Sequence, residues 1–342
     1  MPMRAAILHE PLKLEIAEVE TPKPRENEIL VRVRAIGICP SDVRYYLGTG
    51  VHRLIEYGKD SYGLIGHEWS GEVCEIGPNV KGIDVGERIA QDHLVPCGMC
   101  RYCGMGLTNL CLNKVQYLRG FAEYALAYAP NAYKLSESVS FEEAAFAEPL
   151  SCVVHAQRIA NIKPGDIVVI IGAGPMGLLH MQLAKLAGAL VIITDMIKER
   201  VKKAKNLGAD YAVDITEEDP VSLVKYVTNG IGADKVIVSI GGKRPIEQSF
   251  QITRKNGTII LFGGTVPPEN VEINPNIIHY GEIIVTGSTD YTRDDFRVAI
   301  SLINNHKLRL KELITHVFPL EKLKEAFETV VARKGLKVMV HP

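Results

Sequence analysis

The chain has 342 residues, enough for about two domains, and its 46% apolar and 23% charged residues are ordinary for a soluble globular protein. A net charge of −1 with no basic cluster argues against nucleic acid or an anionic membrane as a partner. No apolar run reaches membrane-spanning length and the N-terminus lacks a signal-peptide pattern, so the sequence reads as cytoplasmic.

Residues 1–90 read as short β-segments joined by turns: Met3–His9, Leu12–Val19, Glu28–Ile36, Trp69–Ile76 and Gly86–Ala90. The third alternates, with Arg32 and Arg34 on one face and apolar residues on the other. Two stretches interrupt this pattern, Gly37-Ile38-Cys39-Pro40-Ser41-Asp42 and Gly66-His67-Glu68. Alone, a cysteine is usually a small core residue and a His–Glu pair a surface feature. Together they offer thiolate, imidazole and carboxylate, the donor set of a catalytic zinc with a position left open. Adjacent His67 and Glu68 can both ligate only where the backbone turns, which Gly66 permits. Asp42 is a candidate for orienting His67 from behind.

Four of the seven cysteines follow as Cys97-x2-Cys100-x2-Cys103-x7-Cys111. In a reducing compartment this spacing favours metal over disulfides. Four thiolates can enclose one tetrahedral ion and leave no position open, so the expected site is a structural zinc. An iron–sulfur cluster or buried free thiols are the competing readings. Cys74 is expected in the core of a strand, and Cys152 is given no role. In Ala147-Glu148-Pro149-Leu150, Glu148 is a further candidate ligand, which Pro149 is expected to hold extended.

Beyond Ser151 the pattern becomes alternating helix and strand, beginning with a crossing helix at Ser151–Ala160. The apolar run Ile167–Ile171 leads into Gly172-Ala173-Gly174-Pro175-Met176-Gly177, then a helix to about Ala187, then a strand over Leu190–Thr194 that ends at Asp195. This is a dinucleotide-binding unit. Gly172 permits the tight turn, Gly174 the approach of a pyrophosphate, and Gly177 close packing of helix on strand. The helix N-terminus faces the phosphates. Asp195 can accept hydrogen bonds from a ribose diol and would repel a 2′-phosphate, favouring NAD over NADP. Lys198 and Arg200 weaken that preference, with Arg200 read as lying along the adenosine. Helices at Lys198–Leu207, Pro220–Asn229 and Ile246–Arg254 and strands at Tyr211–Val213, Lys235–Ile240, Gly257–Phe262 and Glu282–Thr286 complete a six-stranded, doubly wound parallel sheet. Gly241-Gly242, Gly263-Gly264 and Gly287 fall at the carboxyl ends of strands, where ligands bind. Helices at Arg293–Asn304 and Leu320–Val331 and a strand at Lys337–Val340 close the chain. The histidines other than His67 read as surface or core residues, with His52 and His93 noted because they flank the ligand stretches.

The order of these motifs resembles the zinc-containing medium-chain dehydrogenases, the superfamily of alcohol, sorbitol and threonine dehydrogenases, over nearly the whole chain. Gly66-His67-Glu68 and Ala147-Glu148-Pro149-Leu150 resemble its polyol (sorbitol) branch. The resemblance implies a GroES-like β-rich catalytic domain over 1–150, completed by 290–342, and a Rossmann NAD-binding domain over 151–289. It implies two zinc ions per chain: a catalytic one on Cys39, His67 and Glu68, with Glu148 as fourth ligand directly or through water, and a structural one on Cys97, Cys100, Cys103 and Cys111. Implied cofactor contacts are Gly172, Gly174, Pro175, Met176, Gly177, Asp195, Arg200, Phe262, Gly263, Gly264, Ser288, Thr289 and Asp290. Tyr45 and Tyr291 keep the positions expected to line the substrate pocket, and a homotetramer follows by analogy. Two positions depart from the branch. Arg44 stands where a proton-relaying histidine is common, and Asp290 stands where an arginine precedes the tyrosine. The activity implied is reversible NAD-linked oxidation of a secondary alcohol, polyol or sugar-like, to a ketone, with Ser41 hydrogen-bonding the reacting oxygen and passing its proton outward. L-Threonine 3-dehydrogenase is the nearer alternative, and a non-catalytic zinc- and NAD-binding protein the remote one.

Overall fold

The computed structural model describes residues 2–49 and 57–342, so His52 lies outside the described residues. The chain forms two compact units, one of residues 1–151, 292–306 and 310–342, the other of residues 152–291 and 307–309.

The first unit is built on a seven-stranded sheet. Its path runs Ile314–Pro319, Lys337–His341, Glu28–Gly37, Glu68–Ile76, Arg88–Gln91, Ala132–Lys134, and Tyr124–Tyr128 also pairs with Glu28–Gly37. Along Glu28–Gly37, Arg32 and Arg34 are exposed while Val31, Val33 and Ala35 are buried, as a two-residue period requires. This strand lies between the last strand of the chain and the strand that begins at Glu68. Gly37 is therefore opposite Glu68 on one side and Met339 on the other. Val31, Ile36, Trp69, Phe121 and Phe327 form the core beneath, and Tyr46 stacks on Phe327 with ring centroids 4.8 Å apart.

Three local features differ from expectation. A helix, Pro40–Leu47, follows Cys39 directly. Cys39 is its N-cap, the Asp42 carboxylate accepts the Cys39 N–H, Pro40 occupies the first turn, and Gly48 closes it in the left-handed region at φ 70°. Cys74 is exposed, not core, because the alternation of its strand turns Val73 inward and Cys74 outward. The crossing helix begins at Ala147 and runs to Ala160, so Glu148 is in its first turn and helical, not extended. The first N–H groups of a helix have no intrahelical acceptor, so Pro149 fits there without breaking a hydrogen bond.

The second unit is a six-stranded parallel sheet in the order Tyr211–Asp214, Leu190–Asp195, Ile167–Ile171, Ala233–Val238, Thr253–Leu261, Ile284–Gly287. Its apolar core includes Val169, Ile192, Val236 and Ile259. The strand order reverses beside Ile167–Ile171, the place where open α/β sheets leave a crevice for ligands. The fold class is the one expected, a sheet-rich GroES-like unit and a parallel-sheet Rossmann-like unit.

Candidate active site

Cys39, at the end of the first interrupting loop, and His67 and Glu68, at the start of a central strand, each offer one ligand atom, and these atoms lie within 4.8 Å of one another. His67 and Glu68 are buried, at 9% and 2% exposure. The His67 Nδ1 is 3.0 Å from the Ile65 carbonyl oxygen, to which it can only donate, so Nε2 is left as the lone-pair nitrogen. Asp42 does not orient His67 by a hydrogen bond: its Oδ1 is 3.6 Å from Nδ1, and its other oxygen holds the Cys39 N–H at 2.8 Å. The Ile65 carbonyl does that orienting, and Asp42 acts through its field. Burial lowers the His67 pKa, but the charges of Asp42 and Cys39 overcome it and hold the imidazole well above its usual value. Burial raises the Cys39 thiol, and raises Asp42 to about 6. A thiol, a carboxylate and an imidazole nitrogen brought within reach of one point fit a divalent cation, whose binding displaces protons.

Ser41 is half-buried in the first turn of Pro40–Leu47, and Arg44 is half-buried in its last. Tyr45 is buried and stacks on Tyr57 at 5.2 Å. Glu148 is buried and stands outside the 4.8 Å donor group, yet its charge acts on both His67 and Lys337. Two residues join the site that the sequence did not place there. His93 is buried with its ring centroid 5.1 Å from that of His67, and burial, then the charge of His67, push its pKa well below the usual value. The Asn131 amide grips the Asp92 and Leu94 carbonyls on either side of it, at 3.2 and 2.7 Å. Lys337 is buried and ion-paired to Glu68. Its only mark in the sequence is a charge at the head of an otherwise apolar closing strand.

Cys97, Cys100, Cys103 and Cys111 form a second donor group, again within 4.8 Å. Backbone N–H groups of Cys97 and Cys100 point at the sulfurs of Cys111 and Cys97, at 3.3 and 3.4 Å. Without a cation the four thiols cannot ionise together. Backbone N–H groups, those of Cys103 and Leu112, lower Cys100 to about 6, while burial and then the neighbouring sulfurs raise Cys103 to about 12. Such a set fits a closed tetrahedral ion. Cys100→Ser is expected to lose one zinc ion per chain and to open the lobe between Cys97 and Cys111 to proteolysis, which metal analysis and limited digestion would read.

In the second unit Gly172 has φ 105°. A Cβ on Gly177 would lie 1.8 Å from the Gly172 carbonyl oxygen, so the helix Pro175–Leu186 is seated against the turn at this point. No side chain caps that helix at Gly174, and its first N–H groups remain for an anion. A Cβ on Gly174 would lie 3.7 Å from Arg200 Nη1, so Arg200 reaches over the turn. Asp195 is locked at its strand end: one oxygen accepts the Ala173 N–H at 2.8 Å and the other the Ile197 N–H at 2.9 Å. Met176 is half-buried in the first helical turn. Phe262 meets the buried His180 edge-on at 4.5 Å. Gly241 and Gly263 have a packing reason: their Cβ atoms would lie 2.3 Å from the Gly264 oxygen and 2.7 Å from the Ile240 carbonyl carbon. Gly264 is open, and Ser288 Oγ is buried with no hydrogen-bond partner among the described residues. Thr289 is exposed, and Asp290 sits in the left-handed region at φ 51°. These residues fit a dinucleotide.

Residues 25–137 match the family described as alcohol dehydrogenase GroES-like domain, and residues 175–305 the zinc-binding dehydrogenase family. The chain is 35% identical to sorbitol dehydrogenase from Halalkalibacterium halodurans over 96% of this chain and 95% of that one. It is 33% identical to D-arabitol-phosphate dehydrogenase from Enterococcus avium, over 96% and 94%. A solved structure from Sinorhizobium meliloti, classed as a zinc-binding dehydrogenase and bound to NADP, superposes with a TM-score of 0.92 at 30% identity and full coverage of both chains. Fold, site and relatives together define an oxidoreductase acting on CH–OH donors. The chain belongs to the zinc-dependent alcohol and polyol dehydrogenase family of medium-chain dehydrogenases. Among the described residues no helix is long and apolar enough to cross a membrane.

Proposed function

We propose that the protein is an NAD-dependent polyol dehydrogenase that oxidises a secondary alcohol reversibly to a ketone. The observation that carries this reading is the Cys39–His67–Glu68 group: a half-buried thiol and two buried donors within 4.8 Å, separate from the closed four-cysteine group. Three protein ligands leave a position for substrate, whereas four do not. When bound, the zinc supplies Lewis acidity that lowers the pKa of a hydroxyl, and NAD accepts the hydride.

The chain's own residues supply the rest. Ile65 fixes the His67 tautomer, and the Asp42 carboxylate pins the backbone of Cys39. Ser41 takes the hydroxyl proton and passes it to water, because the Arg44 guanidinium offers donors only and cannot relay. Glu148 would hold the ion through water or meet a second hydroxyl of the substrate, and His93 would meet such a hydroxyl from the side of His67. The four-cysteine ion is structural, which brings the zinc content to two per chain. Four cysteines grouped for a metal suit a reducing, cytoplasmic setting, and the branch resembled is tetrameric.

Asp195 sets the preference for NAD, since two hydroxyls of the adenosine ribose meet a carboxylate and a 2′-phosphate would be repelled. Asp195→Ala is expected to lower kcat/KM with NAD by roughly tenfold or more, the worth of one hydrogen bond to a charged group, and to raise it with NADP. Initial rates with both cofactors read this directly. The reading as a whole is tested by reduction of NAD and NADP over a panel of polyols, polyol phosphates, simple secondary alcohols and L-threonine. Turnover with polyols and NAD supports it. Turnover with L-threonine alone, or none in protein that holds two zinc ions, overturns the substrate assignment.

A further inference from the structure

We propose that Lys337 is a positioning residue for the catalytic zinc: it clamps one carboxylate oxygen of Glu68, so that Glu68 offers the ion only the other. The inference rests on the reading of Cys39, His67 and Glu68 as the ligands of that zinc.

The pair is built into the sheet. Glu68 and Met339 are the partners of Gly37 on its two sides, and Lys337 is two residues before Met339 on the same face of its strand. The two side chains meet over Gly37. A Cβ there would lie 2.4 Å from Glu68 Oε2 and 2.5 Å from Lys337 Cε, so the contact exists because position 37 carries no side chain. Lys337 Nζ donates to Glu68 Oε2 and also to the Ile38 carbonyl oxygen at 3.2 Å. Lys337 is 4% exposed and Glu68 2%.

A buried ion pair adds little stability over apolar residues of the same size, so stability is a weak reason for one here. Its effect on the site is larger. Cys39 thiolate and Glu68 carboxylate would together cancel a divalent cation. Lys337 returns one positive charge and occupies one of the two oxygens. A zinc held this way has a weaker carboxylate ligand, keeps a position free for substrate, and polarises a bound hydroxyl more strongly.

The test uses the whole protein with Lys337→Met, and Lys337→Gln as a second variant that keeps a donor for Ile38 without the charge. Release of the catalytic zinc to a chelator is timed. In parallel, cobalt replaces zinc at this site alone and its visible absorption is recorded. Loss of the clamp frees both Glu68 oxygens, so zinc release should slow; removing an outer residue usually weakens metal binding by roughly ten- to a hundredfold, and a change of that size in the opposite direction is expected here because Lys337 competes with the ion for an oxygen. The cobalt bands should weaken and shift as the coordination number rises. A residue that merely supports the fold would speed release or leave it unchanged. Wild-type release rates and an unchanged cobalt spectrum in both variants would overturn the proposal. So would failure of both to fold, read by loss of the four-cysteine zinc, since Lys337 would then be a folding residue. If the wild-type protein holds only the four-cysteine ion, the catalytic-zinc reading falls and this proposal with it.

Discussion

Cys39→Ser is expected to abolish turnover, lowering kcat/KM by about a thousandfold or more, or ~4 kcal/mol of transition-state stabilisation, the scale on which a bound metal acts. The change removes one atom's chemistry and little else. A serine hydroxyl does not ionise at neutral pH and is a poor zinc ligand, whereas a thiolate is a good one. Serine is also a favoured N-cap, and residue 39 is the N-cap of Pro40–Leu47, so the helix and its Asp42 hydrogen bond should persist. The zinc content should drop from two to one per chain, with NADH binding unchanged. Metal analysis, a NADH titration and initial rates on the same sample check all three. Full activity in Cys39→Ser would show that the ion, if present, is not the catalyst.

Gly177→Ala is expected to lower NADH affinity by roughly a hundredfold, about 2.7 kcal/mol, within the usual cost of forcing one extra carbon into a filled space. Its Cβ would lie 1.8 Å from the Gly172 carbonyl oxygen. Both groups belong to the backbone, so no side chain can swing aside, and the helix Pro175–Leu186 must move off the turn whose N–H groups it aligns. Both zinc ions should remain, because all eight candidate donors lie in the first unit. Calorimetric titration with NADH and metal analysis of the same variant separate this outcome from general unfolding. Together the two substitutions make complementary claims: one removes metal and spares cofactor, the other removes cofactor and spares metal.

What could be read from the sequence was what is local in it. The turn at Gly172–Gly177 with Asp195, and the cysteines between Cys97 and Cys111, are each held within one short stretch, so spacing alone carries their geometry. Cys39 and His67–Glu68 are separated in the chain but bring residue types that belong together chemically. Lys337 could not be read in this way. It reaches Glu68 because the last strand pairs with Glu28–Gly37, and that register follows from tertiary packing around Ile36, Trp69 and Phe327. His93 is similar: Asn131 sets its position from another strand boundary. Glu148 is helical where its place before Pro149 suggests extended backbone, because the first turn of a helix tolerates proline. Cys74 is exposed although cysteine is a residue type common in cores, because the alternation of its strand decides which side chains turn inward.

The most direct measurement is activity against zinc occupancy during chelation. Protein loaded with zinc is treated with a chelator in the presence of NAD and an accepted polyol, and aliquots are analysed for metal and for rate. The account predicts that activity disappears in step with one ion, the one on Cys39, His67 and Glu68, while the four-cysteine ion stays, and that added zinc restores the rate. Loss of that ion with the rate unchanged would contradict it.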